Sequence, residues 1–173
     1  MTNLGQRRAI LCCDVSADGF LVAGGTDFQG EDALILYWCV LYNMILSNSK
    51  AITVSNRDPR QPAAPLRAHS ETHSDDITSL HFSSLPSSKD ILSASSDGLL
   101  SISNAMEDDG DDATTHVSNW GTSISQAGWI HSPSSGKSKI WAASDMETFS
   151  SWSDEVCKGA DQIDICPLPL AIA

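Results

Sequence analysis

The feature that most constrains this chain is a pattern that occurs three times along it. Each copy has an apolar strand, a turn, a strand rich in small residues that ends near an aspartate, and a short strand that ends at an aromatic residue or its replacement. The turn aspartates are Asp27, Asp97 and Asp145, and the closing positions are Trp38, Ser103 and Trp152. Repeats of several tens of residues are structural units that bury their apolar faces against one another. We therefore expect an all-β chain built from about three similar sheets.

The second copy shows the pattern most clearly. It reads HSDDITSLHFSSLPSSKDILSASSDGLLSISN. Ile77, Leu80 and Phe82 form the apolar strand, and Asp97-Gly98 is a dipeptide that favours a tight hairpin turn. Alternating strands joined by tight turns predict antiparallel pairing within each copy.

These residues resemble the WD40 repeat, whose signature is a Gly-His near the start, an Asp in a tight turn and a terminal Trp-Asp. His73 occupies the His position, with Thr72 where glycine is usual, and Asp97 occupies the turn. The resemblance implies a partial WD40 β-propeller of about three four-stranded blades that does not close, because closed propellers have roughly four to eight blades. It also implies structural roles at the repeat positions His73, Ser95, Asp97, Trp38, Asp27, Asp145 and Trp152.

Three segments narrow the resemblance further. HSDDITSLHF, SSDGLLSISN and SDMETFSSW are similar to the fungal-type relatives of the WD repeat-containing protein 89 family. The similarity covers roughly residues 9–38 and 58–155. It implies a cytoplasmic or nuclear repeat protein that binds other proteins, with no catalytic residues to carry over.

The spacing of the copies predicts how the chain is organised. The predicted units are a first blade at 9–38, an inserted segment at 39–57, a second blade at 58–104, an acidic loop at 105–113, a third blade at 114–155 and an irregular tail at 156–173. Removing 39–57 would join Trp38 to Asp58 and restore the terminal Trp-Asp. Loops of more than about 15 residues are uncommon inside compact domains, so the insertion needs an explanation.

We interpret 39–57 as a translated intron. The codons for Trp38, Cys39 and Val40 can contain a GT splice donor, and the codon for Arg57 can contain an AG acceptor. We interpret the tail at 156–173 in the same way, because the valine codon at Val156 can contain a GT splice donor. A long natural loop between strands is the alternative for 39–57.

The composition restricts the partners of the chain. Its net charge of −12 and its lack of a basic stripe argue against nucleic acid and anionic membranes, because phosphate contacts need clustered Lys and Arg. Five cysteines without a C-x-x-C pair, and no secretory signal at the start, indicate a reducing compartment. The longest apolar stretch, 33–46, is too short to span a bilayer. We expect other proteins as partners, and self-association through open blade edges.

Two chemical interpretations compete with a structural one. His73, Asp97 and Ser95 could form a hydrolase triad, but no G-x-S-x-G motif accompanies them. A second group of His, Asp and Glu residues has the composition of a metal site but not the ligand spacing of a zinc site. It consists of His69, His73, His81, Glu71, Asp75 and Asp76. We therefore predict no catalytic residue, no cofactor and no metal.

Three functions remain open at this point. The first is a non-catalytic scaffold that binds proteins through the loops of its blades, since no nucleophile or ligand motif is present. The second is a truncated or mis-predicted gene product without activity of its own. The third is a β-rich hydrolase or metal-dependent enzyme.

Overall fold

A computed structural model describes residues 8–30, 32–39, 65–85, 88–131 and 138–153, and in these ranges the chain is almost entirely antiparallel β-sheet. The first sheet contains β1 (Ile10–Val15), β2 (Leu21–Thr26), β3 (Ala33–Cys39) and β4 (Arg67–His73). The second contains β5 (Ile77–Phe82), β6 (Asp90–Ser95), β7 (Leu99–Asn104) and β8 (Thr114–Asn119). The third contains β9 (Ile124–His131), β10 (Ser138–Ser144) and β11 (Phe149–Ser153). The all-β prediction is confirmed.

Short turns join β1 to β2 in the first sheet and β6 to β7 in the second. Gly19, in the β1–β2 turn, has φ +74°, and Gly98, in the β6–β7 turn, has φ +85°. Both values lie in the left-handed region that glycine adopts without a steric penalty. The Asp97 side chain completes its turn by accepting the Leu99 N–H at 2.8 Å.

The sheets are offset by one strand from the units predicted for the chain. Outer strand β4 lies inside the predicted unit 58–104 but pairs with β3 in the first sheet. Outer strand β8 lies inside the predicted unit 114–155 but pairs with β7 in the second sheet. Each sheet thus takes its outer strand from the next copy of the pattern, which links consecutive sheets through the backbone.

Two apolar layers separate the three sheets. The first layer packs residues of β2 and β3 against β5 and β6, and its largest members include Ile35, Tyr37, Ile77, Leu80 and Ile91. The second packs β6 and β7 against β9, β10 and β11, and includes Leu92, Leu100, Ile124, Ile140 and Trp152. We call face A the side of a sheet that meets the following sheet, and face B the side that meets the preceding one.

The acidic loop predicted at 105–113 contains a helical turn, α1 (Gly110–Ala113). The side chain of Asp109 caps it by accepting the N–H of Asp111 at 3.1 Å. Aspartate is a favoured N-cap residue, and its negative charge interacts favourably with the positive end of the helix dipole. Part of the like-charge run is therefore ordered by local hydrogen bonds.

Several predictions fall outside the described residues. The suspected translated intron at 39–57 lies there except for Cys39, which ends β3, and the tail at 156–173 lies there entirely. Within the described ranges, no helix has the length and apolar character needed to cross a membrane.

Candidate interaction surface

The three turn aspartates occupy corresponding places in the three sheets. Asp27, Asp97 and Asp145 lie in or next to the β2–β3, β6–β7 and β10–β11 connections. Each accepts a hydrogen bond from the segment that enters the first strand of its own sheet. The donors are the Ala9 N–H to Asp27 at 2.9 Å, the Ser74 N–H to Asp97 at 2.8 Å, and the Ser123 hydroxyl to Asp145 at 2.6 Å.

These connections lie at one end of the sheets, because neighbouring strands are antiparallel. We call this the turn end. It consists of the β2–β3, β4–β5, β6–β7, β8–β9 and β10–β11 connections. The β1–β2, β5–β6 and β7–β8 connections lie at the opposite end.

His73 connects the first sheet to the second at the turn end. Its side chain is fully buried at the end of β4, with Nε2 2.8 Å from the Ser93 hydroxyl and Nδ1 3.5 Å from Asp97 Oδ2. A bulge precedes it, since β3 pairs Ile35 with His69 but Ala33 with His73. A bulge re-aims the side chains that follow it. The bulge thus directs His73 towards the second sheet.

Asp97 is the carboxylate of this contact. Its burial raises the pKa, but the His73 contact and the N–H groups of Leu99 and Ser74 outweigh that effect and lower the pKa to about 2. Hydrogen bonds to the charged form favour ionisation. Asp97 is therefore an anion at neutral pH and fixes the turn around it.

The hydroxyl beside His73 is that of Ser93, a residue that sequence reasoning did not single out. Ser95 lies two residues further along β6, where it donates to the Asp75 carbonyl at 3.1 Å and accepts the Asp97 N–H at 3.1 Å. Ser95 is fully buried, so it offers no exposed nucleophile. Both serines face the same side of β6, and only the bulged approach of β4 selects Ser93.

The histidines of the metal-like composition are dispersed. His69 is buried, with Nδ1 3.2 Å from the Tyr37 hydroxyl and Nε2 3.0 Å from the Glu107 carbonyl. Desolvation lowers its pKa. His81 is half exposed, with Nδ1 3.8 Å from Asp14 Oδ2. The described part of the chain contains no group of three or more His, Cys, Asp or Glu side chains placed to hold a metal ion.

The closing positions of the pattern also correspond. Trp38, Ser103 and Trp152 lie on the third strands of their sheets and pair with Val22, Ile91 and Ile140 on the second strands. Ser103 is 1% exposed at the first interface and Trp152 is 6% exposed at the second. Trp38 is half-buried, because it lies on the face of the first sheet that no described sheet precedes.

Exposed apolar side chains stand among carboxylates at the turn end. Phe28 is 38% exposed and Met146 is 78% exposed. The carboxylates of the same connections are Asp27, Asp32, Asp75, Asp76, Asp97, Asp145 and Glu147. The described residues of these connections include no Lys or Arg, and Arg8, just before β1, donates to the carbonyls of Asp32 and Gln29. The surface is acidic with two apolar protrusions.

No protein-family model matches the chain, but individual proteins do. It is 40% identical over 86 residues to "WD repeat-containing protein GTS1" of Arabidopsis thaliana, covering 49% of this chain and 21% of that protein. It is 34% identical over 130 residues to "Uncharacterized WD repeat-containing protein YNL035C" of Saccharomyces cerevisiae, covering 75% of this chain and 26% of that protein. The chain spans about a quarter or less of the length of these curated relatives.

Solved structures show the same fold. The WD40 repeats of RRP9 match with a TM-score of 0.60 at 14% identity, covering 91% of this chain and 39% of that one. The β-propeller domain of Cps50 (Swd1) from Myceliophteria thermophila matches at 0.59 and 15%, covering 95% and 38%. Sqt1 from Chaetomium thermophilum, bound to the N-terminus of ribosomal protein L10, matches at 0.56 and 18%, covering 82% and 30%.

The three sheets are therefore consecutive blades of a WD40 β-propeller that is not closed. This confirms the fold class expected from the repeats, with three described strands in the last blade instead of four. The matched relatives support a WD-repeat protein. The narrower likeness to the WD repeat-containing protein 89 family stays a prediction.

Proposed function

We propose that this chain is a non-catalytic scaffold that binds other proteins at the turn end of its blades. One observation carries the proposal. The His73 ring is fully buried, with Nε2 2.8 Å from the Ser93 hydroxyl and Nδ1 3.5 Å from Asp97 Oδ2, so the group that could have served as a catalytic base lies between two blades instead. A general base has to reach a substrate, and this imidazole does not reach the surface.

The turn end indicates the chemistry of the partner. Phe28 and Met146 are exposed apolar side chains of the kind that anchor interfaces, and carboxylates surround them. Charge complementarity favours a partner segment with an apolar side chain flanked by Lys or Arg. The net charge of −12 would also speed the encounter with such a segment.

One structural neighbour supports this mode of binding by analogy. Sqt1 was crystallised with the N-terminus of a ribosomal protein, so a propeller of this fold can hold a terminal segment of another protein. Shared fold does not transfer a partner, and the partner of this chain is defined only by its chemistry.

The remaining expectations about environment belong to this proposal. We place the protein in the cytoplasm or nucleus, without nucleic acid or a membrane as direct partner. Among the described residues, Cys12 and Cys13 are free thiols, as a reducing compartment would leave them. Burial raises the pKa of the Cys12 thiol to about 11, which keeps it protonated and unreactive.

A second candidate is that the chain is a truncated or mis-predicted product without activity of its own. The observation that favours it is length, since the chain covers 21% and 26% of its two curated relatives. In that case the turn end would bind its partner only as part of a longer propeller. The same experiment separates the two candidates.

The test is cross-linking of the intact chain in cell extract, with mass spectrometry of the captured proteins. We compare the wild type with the double variant Phe28→Ala/Met146→Ala, which truncates the two apolar protrusions. The matched control is Leu85→Ala, because Leu85 is 42% exposed in the β5–β6 connection at the opposite end. A captured protein is then retested as a purified partner by titration.

We expect binding at least about 10-fold weaker for the double variant and unchanged binding for the control, since interface anchors contribute most of the affinity. A partner that binds all three proteins equally would contradict a turn-end site. A wild-type chain that is folded yet binds no protein would favour the second candidate.

A further inference from the structure

A small cavity lies between the second and third sheets. Two of its lining residues, His116 and Ser118, are polar side chains on β8, and its apolar lining includes Ile102 of the second sheet and Ile140 and Trp152 of the third. The volume of the cavity is about 10 Å³. On the same scale a single buried water needs roughly 10 to 15 Å³. The cavity therefore has the size of one water molecule.

The two polar residues lie on face A of the second sheet, the side that meets the third sheet. His116 pairs with Ile102 and Ser118 pairs with Leu100, and both partners belong to the apolar layer between these sheets. Side chains two residues apart on a strand share a face, with their Cα atoms about 6.6 Å apart. Val117, between them, is on the other face and is 45% exposed. The outer strand thus brings two polar side chains into an apolar layer.

Neither of these polar side chains has its hydrogen-bonding capacity satisfied by the protein. The Ser118 hydroxyl and the His116 Nε2 are shielded from solvent, and neither atom forms a hydrogen bond with a described residue. Ser118 as a whole is 7% exposed. Buried polar side-chain atoms nearly always have a partner, either in the protein or in an ordered water. Two unpartnered polar atoms that line one cavity therefore indicate a polar occupant.

We propose that this cavity is the binding site of a single water molecule that bridges the His116 Nε2 and the Ser118 hydroxyl. A water with a hydrogen bond of about 2.8 Å on each side spans up to about 5.6 Å between its partners. That span suits two side chains whose backbones are about 6.6 Å apart on one face of a strand. A buried water needs about two to four polar partners, and the cavity supplies two.

Water fits this donor set better than a metal ion does. A water and a hydroxyl can each donate or accept, so the bridge forms with either neutral tautomer of His116. A structural zinc ion takes four ligands, whereas Ile102 and Ile140 offer none. The described part of the chain also places no three His, Cys, Asp or Glu side chains together around a metal position.

The water would allow an outer strand with polar residues to pack on the next blade. It occupies the interior of an interface, whereas the proposed function assigns partner binding to the connections of the turn end. Failure of either proposal therefore leaves the other intact.

The test counts long-lived waters by relaxation dispersion of the water oxygen-17 signal in a solution of the intact chain. This signal reports water oxygens that tumble with the protein, and exchange of hydroxyl protons does not contribute to it. Ser118→Ala and His116→Phe should each lower the count by about one, because each removes one of the two partners. The matched control is Val117→Ala, which changes the exposed residue between them and should leave the count unchanged.

A second measurement locates the water in the wild type. The methyl groups of Leu100, Ile102 and Ile140 line the cavity and are buried, so bulk water does not reach them. We expect nuclear Overhauser effects between water and these methyl groups in the wild type and in Val117→Ala. The same effects should be absent from Ser118→Ala and from His116→Phe. Circular dichroism confirms that each variant is folded.

Three results would overturn the proposal. A dry cavity, or a direct hydrogen bond between His116 and Ser118, would give no Overhauser effect between water and the buried methyl groups of the wild type. An effect that persists in His116→Phe would come from exchange of the Ser118 hydroxyl proton and not from a bridging water. An oxygen-17 count that is equal in the wild type and in both cavity variants would exclude a long-lived water at this site.

Discussion

The two interfaces between the blades differ in residue composition. The interface of the first and second sheets combines its apolar core with buried polar groups, among them His73, Ser93, Ser103 and the Tyr37–His69 pair. The interface of the second and third sheets has tryptophan rings in its apolar core, where Trp152 meets Trp120 edge-on with centroids 5.7 Å apart. Hydrogen bonds cross this interface as well, from Thr78 to the Ile124 carbonyl at 2.7 Å and from Ser79 to the Ala127 carbonyl at 3.0 Å. The same fold position holds Ser103 in one case and Trp152 in the other.

This difference shows what the repeat position requires. An aromatic residue at the closing position fills the space between two blades, and a serine there leaves that space to other groups. At the first interface the polar contacts of His73 and the edge-on packing of Tyr37 on His69, with centroids 4.8 Å apart, accompany the serine. Hydrogen bonds cross both interfaces, and at the first one they accompany a serine at the closing position in place of an aromatic residue.

The largest expected effect is at the apolar interface. Trp152→Ala should destabilise the protein by about 3 to 5 kcal/mol, since it removes a large buried ring and its contact with Trp120. It would also enlarge a small cavity that Trp152 lines together with Leu92 and Ile140. Urea unfolding followed by circular dichroism measures the loss. A loss below about 1 kcal/mol would mean that the second interface contributes little to stability.

The next largest effect is at the polar interface. His73→Ala should cost about 2 to 3 kcal/mol, because Ser93 and Asp97 would lose a buried partner. His81→Ala is the matched control, since this histidine is half exposed and its Nδ1 lies 3.8 Å from Asp14 Oδ2. We expect this variant to lose less than about 0.5 kcal/mol of stability. Equal losses for the two variants in urea unfolding would show that His73 is not a specific link between the blades.

A substitution at Ser103 tests whether the first interface accommodates the tryptophan that occupies the same position at the second interface. Ser103→Trp restores the aromatic but should destabilise by about 1 to 2 kcal/mol, because the position is 1% exposed and the indole would overfill it. Ser103→Ala serves as the size control. If the tryptophan variant unfolds at higher urea than the wild type, the site is underpacked and this expectation is wrong.

The smallest effect concerns acid. The pKa of Asp97 is lowered to about 2, and that of Asp18 is also lowered to about 2, chiefly by its hydrogen bond with Lys89. Both aspartates link the first two sheets. A carboxylate with a lowered folded pKa stabilises the protein above its unfolded value of about 3.8, and this stabilisation is lost as pH falls towards 2.

Amide hydrogen exchange at about pH 5 and about pH 2.5 checks this expectation. Protection in β4 and β5 should fall more on acidification than protection in β9 and β10. Asp97→Asn should reduce the difference between the two pH values. Equal acid sensitivity of both interfaces would contradict a specific role for Asp97.

The candidate site was predictable only in part. The turn aspartates Asp27, Asp97 and Asp145 can be read from the repeat, because a tight turn needs residues that hydrogen-bond to the local backbone. The partner of His73 could not be read. Ser93 and Ser95 share a face of one strand, and the choice between them depends on a bulge in β4, a strand of the neighbouring sheet.

The sequence by itself determined that the chain is a set of similar antiparallel sheets, because strand alternation and turn chemistry act over a few residues. The tertiary structure decided which sheet each outer strand joins, since β4 and β8 carry no local mark of their partner. It also decided which faces a described sheet covers, because coverage depends on the neighbouring sheet. Val15 and Ile130 resemble core residues in sequence, and only the absence of a preceding or following described sheet leaves them exposed.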